Sequence, residues 1–224
     1  MTPRGVFEYR LPPSKSHMIR ELMLASKSTT NTEIIFNGTP GDDIISMKDC
    51  LELMGVEIIK EEGKWTIIPP KNGLIAPKEN INCGNSGTVA KIMSVIAATF
   101  ESEITIDGDR SLRKRSNVEL SKCLREMGCE VSGDSFPCKI KGPMKFRNNL
   151  EIDVSKSSQP ITALILSSSD FKDKMCVKLL GKGVSKGYLE LTIDLARKWG
   201  LKTELKNSSI ELYNWNVKSP GVVR

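Results

Sequence analysis

Histidine is nearly missing from this sequence: His17 is the one imidazole among 224 residues. A histidine cluster for metal-dependent hydrolysis is therefore excluded. A serine–histidine–carboxylate triad is unsupported too, because His17 is followed by the apolar pair Met18-Ile19 and the chain shows no oxyanion turn. The six cysteines (Cys50, Cys83, Cys123, Cys129, Cys138 and Cys176) include no CxxC pair, so they offer no zinc spacing and read as reduced thiols. Aromatic residues make up 5% of the chain, and none falls between Asp107 and Glu119, around the densest basic run, Arg110, Arg113, Lys114 and Arg115. RNA recognition by base stacking needs aromatics interleaved with such charges, which argues against a nucleic-acid partner. The longest mostly apolar stretch, Val89 to Phe100, has twelve residues and contains Lys91. That is too short to cross a membrane. With no apolar export segment in Met1-Thr2-Pro3-Arg4-Gly5, the expectation is a soluble cytoplasmic protein without a membrane partner. No Walker A lysine follows a GxxxxG turn, and Gly181-Lys182-Gly183 lacks the rest of a dinucleotide fingerprint.

Positive charge and a long period are what the chain does have. Lys plus Arg number 33 against 27 Asp plus Glu, a net charge of +6, and the calculated pI is near 9.0. Such an excess predicts anionic partners. Hydrophobic residues make up 39%, enough at this length for one large domain or two small ones to bury a core without staples. Three kinds of marker then recur. Ile34-Ile35-Phe36-Asn37-Gly38, Ile104-Thr105-Ile106-Asp107-Gly108 and Val177-Lys178-Leu179-Leu180-Gly181 each end an apolar segment in glycine, at intervals of 70 and 73 residues. The glycines of Met54-Gly55-Val56, Met127-Gly128-Cys129 and Trp199-Gly200-Leu201 recur after 73 and 72. Ser14-Lys15-Ser16, Asn85-Ser86-Gly87-Thr88 and Lys156-Ser157-Ser158-Gln159 recur after 70 and 71. Three independent markers on one period define three structural repeats.

Each repeat reads as strand, helix, strand, helix and two further strands. The first helices, Met18 to Ala25, Val89 to Ala98 and Ile161 to Leu166, are apolar nearly all round, which predicts burial. The second helix is amphipathic: Ile44, Met47, Leu51 and Met54 are spaced 3, 4 and 3 apart on one face. The glycine that follows is placed as a left-handed C′ residue, before strands such as Val56 to Ile59 and Cys129 to Ser132. Trp65 to Ile68 returns as a hairpin partner across Glu61-Glu62-Gly63-Lys64.

A sheathed helix meets solvent only at its ends. Ser16, Ser86, Thr88, Ser157 and Ser158 fall near helix starts, where each serves either as an N-cap worth about 1 kcal/mol or beside N–H groups left free for an anion. If the repeats surround a common axis, three positive helix ends meet at one site. Arg20 stands within an apolar helix and requires a counter-anion there. Its partner is either a carboxylate such as Asp42 or Asp153, or an exogenous phosphate that fits the guanidinium fork.

Leu11-Pro12-Pro13-Ser14-Lys15-Ser16 followed by Arg20 resembles the start of the 3-phosphoshikimate 1-carboxyvinyltransferases, or EPSP synthases. Asn85-Ser86-Gly87-Thr88, Gly108-Asp109 through Arg115, Ser157-Ser158-Gln159 and Val184-Ser185-Lys186-Gly187-Tyr188 match further markers of that family in order. The resemblance implies an α/β domain of three repeated βαββαβ units with buried parallel helices and outward-facing sheets, the first of two such domains. It spans residues 1–216 here, with repeats at about 5–69, 80–141 and 150–213 and a crossover starting at 217–224. It also implies transfer of the enolpyruvyl group of phosphoenolpyruvate to the 5-hydroxyl of shikimate 3-phosphate, with phosphate release and without a cofactor or metal. Shikimate 3-phosphate is assigned Lys15, Ser16, Arg20, Ser157, Ser158, Gln159, Ser185 and Tyr188. Phosphoenolpyruvate is assigned Lys15, Asn85, Gly87, Thr88, Arg115 and Gln159.

Four positions depart from the family pattern. Lys91 stands where many members have arginine, Pro13 and Gly187 replace a common glycine and proline, and Ser116 replaces a usual proline. The catalytic acid and base belong to the family's second domain, so a missing domain or second chain is an expected partner. Asp42, Asp43 and Asp109 are placed in outer turns as caps or solvated residues. The alternatives are a non-catalytic shikimate 3-phosphate-binding module and a basic RNA-binding domain.

Overall fold

The computed structural model describes residues 11–145, 150–181 and 186–224. The first repeat holds α1 (Lys15–Ala25), β1 (Thr32–Ile35), α2 (Asp42–Leu53), β2 (Glu57–Glu61) and β3 (Lys64–Ile68). The second holds β4 (Ile81–Asn82), α3 (Gly87–Ala97), β5 (Ile104–Asp107), α4 (Val118–Glu126), β6 (Glu130–Val131) and β7 (Cys138–Lys141). The third holds β8 (Leu150–Asp153), α5 (Gln159–Ser167), β9 (Met175–Leu180), α6 (Lys186–Lys198), β10 (Leu205–Lys206) and β11 (Ser209–Leu212), and β12 (Val222–Val223) follows. This is an α/β architecture of repeated strand–helix units.

Each repeat forms the body of one four-stranded sheet, in the orders β4-β5-β7-β6, β8-β9-β11-β10 and β12-β1-β3-β2, the last completed by the C-terminal β12. The leading pair is parallel and the other two antiparallel in each sheet. Where a helix intervenes, as α3 does between β4 and β5, a parallel pair is the expected geometry. In the first sheet that outer place is taken by β12, with Glu33 opposite Val222. The stretch 217–224, expected to begin a crossover, thus carries a strand of the first sheet.

The helices α1, α3 and α5 form the centre, and their apolar segments are buried as the composition requires. Around them α2 presents Ile44, Met47 and Leu51 inward. The second helices end alike. Gly55, Gly128 and Gly200 have φ of +90°, +80° and +114°, and the next N–H returns to the carbonyl five residues back: Val56 to Leu51, Cys129 to Leu124 and Leu201 to Ala196. This is the Schellman arrangement, which needs a left-handed residue that glycine adopts at least cost. The sheets face outward and carry cross-strand pairs such as Lys178 with Glu151 at 3.0 Å and Lys139 with Glu103 at 2.9 Å. Exposed pairs contribute about 0–1 kcal/mol each, so they account for the charged composition rather than the stability.

Glu21 is an exception inside the core. Its Oε2 accepts a 2.6 Å hydrogen bond from Trp199 Nε1, tying α1 to the residue after α6. Burial pushes its carboxyl up to about 7, against the opposing effects of Trp199 and Lys198. The folded chain therefore favours the neutral acid, and the cost of ionising it is full above about pH 7 and gone below the unfolded value near 4.5. Stability should rise as pH falls through that window. Glu21→Gln should raise stability by on the order of 2 kcal/mol at about pH 8 and have little effect at about pH 4.5. Thermal melts at both values check this, and equal melting temperatures at the higher pH would refute it.

Candidate functional site

The starts of α1, α3, α5 and α6 meet at a cleft of about 180 Å³ lined by Lys15, Ser16, Arg20, Thr88, Ser157, Ser158, Gln159 and Tyr188. Helices buried along their lengths line it with their first turns, and Arg20, in the second turn of α1, reaches back to it over the Ser16 carbonyl. Larger hollows lie beside Arg197 and Glu211 (about 760 Å³) and along α1 near Phe36 and Val223 (about 490 Å³). Neither gathers the polar markers of all three repeats, so the smaller cleft is the candidate.

Arg20 is the key side chain, 4% exposed. Its Nε donates to Thr192 Oγ1 at 2.8 Å, Nη1 to the Ser16 carbonyl at 2.7 Å and Nη2 to the Tyr188 carbonyl at 3.4 Å. All three acceptors are neutral, and no carboxylate comes within ion-pair distance among the described residues. Asp153 instead accepts the Ser155 N–H at 2.7 Å, and Asp42 stands in the first turn of α2. Burial lowers the guanidinium to about 10, partly offset by Tyr188. It stays cationic at neutral pH while the fold supplies no countercharge, which is costly until an anion arrives.

The hydroxyl residues stand near helix starts as expected but divide their work. Ser86 caps α3 by accepting the Val89 N–H at 3.4 Å, and Ser157 accepts the Gln159 N–H at 3.2 Å. Ser158 occupies the N-cap position of α5 without a side-chain cap bond. Thr88 accepts from Gln159 Nε2 at 3.1 Å, joining the second and third repeats at the cleft. Tyr188 exposes its ring, 56% accessible, at the start of α6. Ser185 lies outside the described residues.

Beside Gln159 the second repeat brings further positive charge. Arg115, at the end of the short turn Leu112–Lys114, donates Nη2 to Asn85 Oδ1. A Cβ on Gly87 would stand 3.3 Å from both Arg115 Nη1 and Gln159 Oε1. Glycine there lets the guanidinium and amide lie close over the helix start. Gly108 has a tighter constraint, because a Cβ would lie 2.3 Å from the Gly84 carbonyl, where the segment after β5 crosses the Asn85 turn. The basic run separates in function: Arg113 is clamped by Asp107 at 2.6 Å, which holds that carboxyl below its usual range, whereas Arg115 reaches the cleft rim.

Two residues escaped the motif-based assignment. Lys91, one turn after Gly87, is 7% exposed, and burial with the Arg115 charge lowers it to about 8. Asp43 faces Lys15 Nζ at 3.3 Å, because α2 packs against α1. The outer-turn placement of Asp42 and Asp43 is thereby corrected to the first helical turn after the N-cap Gly41. Asp109 does cap, accepting the Leu112 N–H at 2.7 Å. Lone neighbours in sequence could not reveal Asp43, since the helix pairing that sets it against Lys15 is a tertiary fact.

Among the described residues no cluster of three or more His, Cys, Asp and Glu side chains is placed to hold a metal, and no helix is long and apolar enough to cross a membrane. All six cysteines are free thiols. The arrangement binds anions through helix-start N–H groups, hydroxyls and cations.

The EPSP synthase (3-phosphoshikimate 1-carboxyvinyltransferase) family pattern matches residues 7–219. A 3-phosphoshikimate 1-carboxyvinyltransferase of Pseudomonas syringae pv. syringae (strain B728a) is 31% identical over 214 residues, covering 94% of this chain and 50% of the relative. One of Thermococcus kodakarensis (strain ATCC BAA-918 / JCM 12380 / KOD1) is 32% identical over 209 residues, 92% of this chain and 49% of the relative. The solved EPSP synthase from Acinetobacter baumannii shares the fold, with a TM-score of 0.79 at 23% identity over 94% of this chain and 48% of that one. The chain spans about half the length of the curated relatives it matches. A match running through all three repeats, together with the shared fold, places the chain in the EPSP synthase family.

Proposed function

We propose that this chain is the N-terminal half of a 3-phosphoshikimate 1-carboxyvinyltransferase, a domain at 1–216 whose cleft forms one wall of the active site. Its substrates are shikimate 3-phosphate and phosphoenolpyruvate, and the complete enzyme moves the enolpyruvyl group to the 5-hydroxyl and releases phosphate. The carrying observation is Arg20, a buried cation held only by neutral acceptors at the meeting point of helix starts. With Lys15, Ser16, Ser157, Ser158, Gln159, Ser185 and Tyr188 it takes the phosphate and ring of shikimate 3-phosphate. Lys15, Asn85, Gly87, Thr88, Arg115 and Gln159 take phosphoenolpyruvate, Gln159 bridging the two groups through Thr88. This half binds and orients. Proton transfer at the hydroxyl and the enol methylene falls to carboxylates of the second half.

Titration of the chain with shikimate 3-phosphate and with mixed-sequence RNA, each at about 50 and 200 mM salt, tests the reading. One shikimate 3-phosphate should bind per chain, with weak, sequence-blind RNA affinity. An RNA-binding face using six or more phosphate contacts loses about a thousandfold in affinity between those salt concentrations. Tight RNA binding with that slope and indifference to the small phosphate would overturn the assignment.

A further inference from the structure

We infer that Thr192 is a positioning residue of this site: its hydroxyl oxygen clasps Nε of Arg20 and so aims the guanidinium's terminal N–H groups at an oxyanion of shikimate 3-phosphate. The inference rests on the two-substrate reading above and adds to it a residue that stands behind the cleft's lining. A threonine within a helix commonly bonds the carbonyl one turn back, and Thr192 does so, donating to the Tyr188 carbonyl at 2.7 Å. That bond uses its only proton. Toward Arg20 Nε at 2.8 Å the oxygen is therefore an acceptor. It accepts from Thr162 Oγ1 at 3.1 Å as well, so the Thr162 hydroxyl is the donor of that pair. One proton given and two received fill the hydroxyl's capacity. Both threonines are buried, Thr192 on α6 and Thr162 on α5, where a satisfied polar network holds one geometry.

Arg20 has five N–H groups to place. Among the described residues three are taken: Nε by Thr192, one on Nη2 by the Tyr188 carbonyl at 3.4 Å and one on Nη1 by the Ser16 carbonyl at 2.7 Å. The Thr192 oxygen and the Tyr188 carbonyl are themselves 2.7 Å apart, so together they grip the edge that Nε and Nη2 share. One N–H on each terminal nitrogen is left over. A pair of that kind is what a phosphate or carboxylate accepts. Without the Thr192 oxygen the buried Nε–H has no acceptor, and the guanidinium must either leave it unpaired or turn it into the cleft at the expense of the terminal pair. The same oxygen joins α1, α5 and α6 through Arg20, Thr162 and Tyr188, three helices whose starts line the cleft.

Calorimetric titration with shikimate 3-phosphate of the wild-type chain, Thr192→Val, Thr192→Ser and Thr162→Val, each beside a thermal melt, tests this. Valine keeps the shape and loses the acceptor, so Thr192→Val should bind about tenfold more weakly, the worth of one hydrogen bond to a charged group. Thr192→Ser restores the oxygen and should bind within about twofold of wild type, even though the lost methyl lowers its melting temperature. Thr162→Val removes a hydroxyl from the same network but leaves Nε its acceptor, and it too should bind within about twofold. A strut would behave otherwise: affinity would follow the melting temperature, and the two valine variants would weaken binding alike. Either pattern, or Thr192→Val binding as wild type does, overturns the inference and leaves Arg20 assigned to the ligand. A wild-type chain that binds no shikimate 3-phosphate overturns the two-substrate reading and the inference with it. Should Thr192→Val fail to fold, the Arg20 Nε proton of isotope-labelled wild-type chain decides. It should exchange slowly with water both before and after the ligand binds, and rapid exchange in either state overturns the clasp.

Discussion

Phosphate release from phosphoenolpyruvate and shikimate 3-phosphate should be undetectable with this chain alone and should appear when a separately expressed second half is added. The cleft contributes cations, hydroxyls and N–H groups from one side, and Asp43, the carboxylate paired with its Lys15, is engaged in that ion pair. Moving a proton off the 5-hydroxyl and onto the enol methylene needs a positioned acid and base, worth about 10²–10⁴ in rate. An open wall also fails to exclude water and to fix the two reactants against each other, a positioning effect that accounts for roughly 7–11 kcal/mol of barrier in favourable cases. These losses multiply, so the isolated chain should show no turnover over background. Multiple turnovers by rigorously purified chain would refute the half-site reading and direct attention to Asp43. Shikimate 3-phosphate binding without turnover under any complementation would favour the non-catalytic module instead.

Much of this was readable from spacing. The recurrence of Gly55, Gly128 and Gly200 announced three identical helix ends because only a left-handed residue permits the returning N–H bond, and the three angles agree. The apolar helices and the hydroxyl markers at their starts followed from the same period, and their meeting at one cleft is what three equivalent units around an axis produce. The partner of Arg20 stayed open in the sequence, since both Asp42 and Asp153 are placed by contacts between repeats that spacing does not encode. The same limit hid Asp43, whose pairing with Lys15 depends on α2 lying against α1, and β12, whose partner is about 190 residues away in sequence. Lys91 was visible as a lysine in an apolar helix, at a position where many members of the family have arginine. Its lowered basicity depends on burial and on Arg115, which is brought to it by a turn 24 residues later.

Arg20→Met should weaken shikimate 3-phosphate binding by on the order of a hundredfold or more, with a melting temperature changed by only a few degrees. Removing one partner of a desolvated, hydrogen-bonded charge pair costs about 2–5 kcal/mol, and each 1.4 kcal/mol is about a factor of ten in affinity. The effect on stability is small because two terms oppose each other. The substitution forfeits bonds to Thr192 and to the Ser16 and Tyr188 carbonyls, and relieves the burial of a charge that lacks a carboxylate. Arg20→Lys separates charge from shape. It keeps the positive charge but cannot span Thr192 and two carbonyls while also presenting paired N–H groups to a phosphate, so its affinity should fall between wild type and Arg20→Met. Calorimetry and the phosphorus chemical shift of the ligand, measured beside thermal melts, read the two quantities independently. Were Arg20 merely a strut between α1 and α6, Arg20→Met would lose stability while any folded fraction still bound the ligand normally. That pattern would remove the central cation from the site.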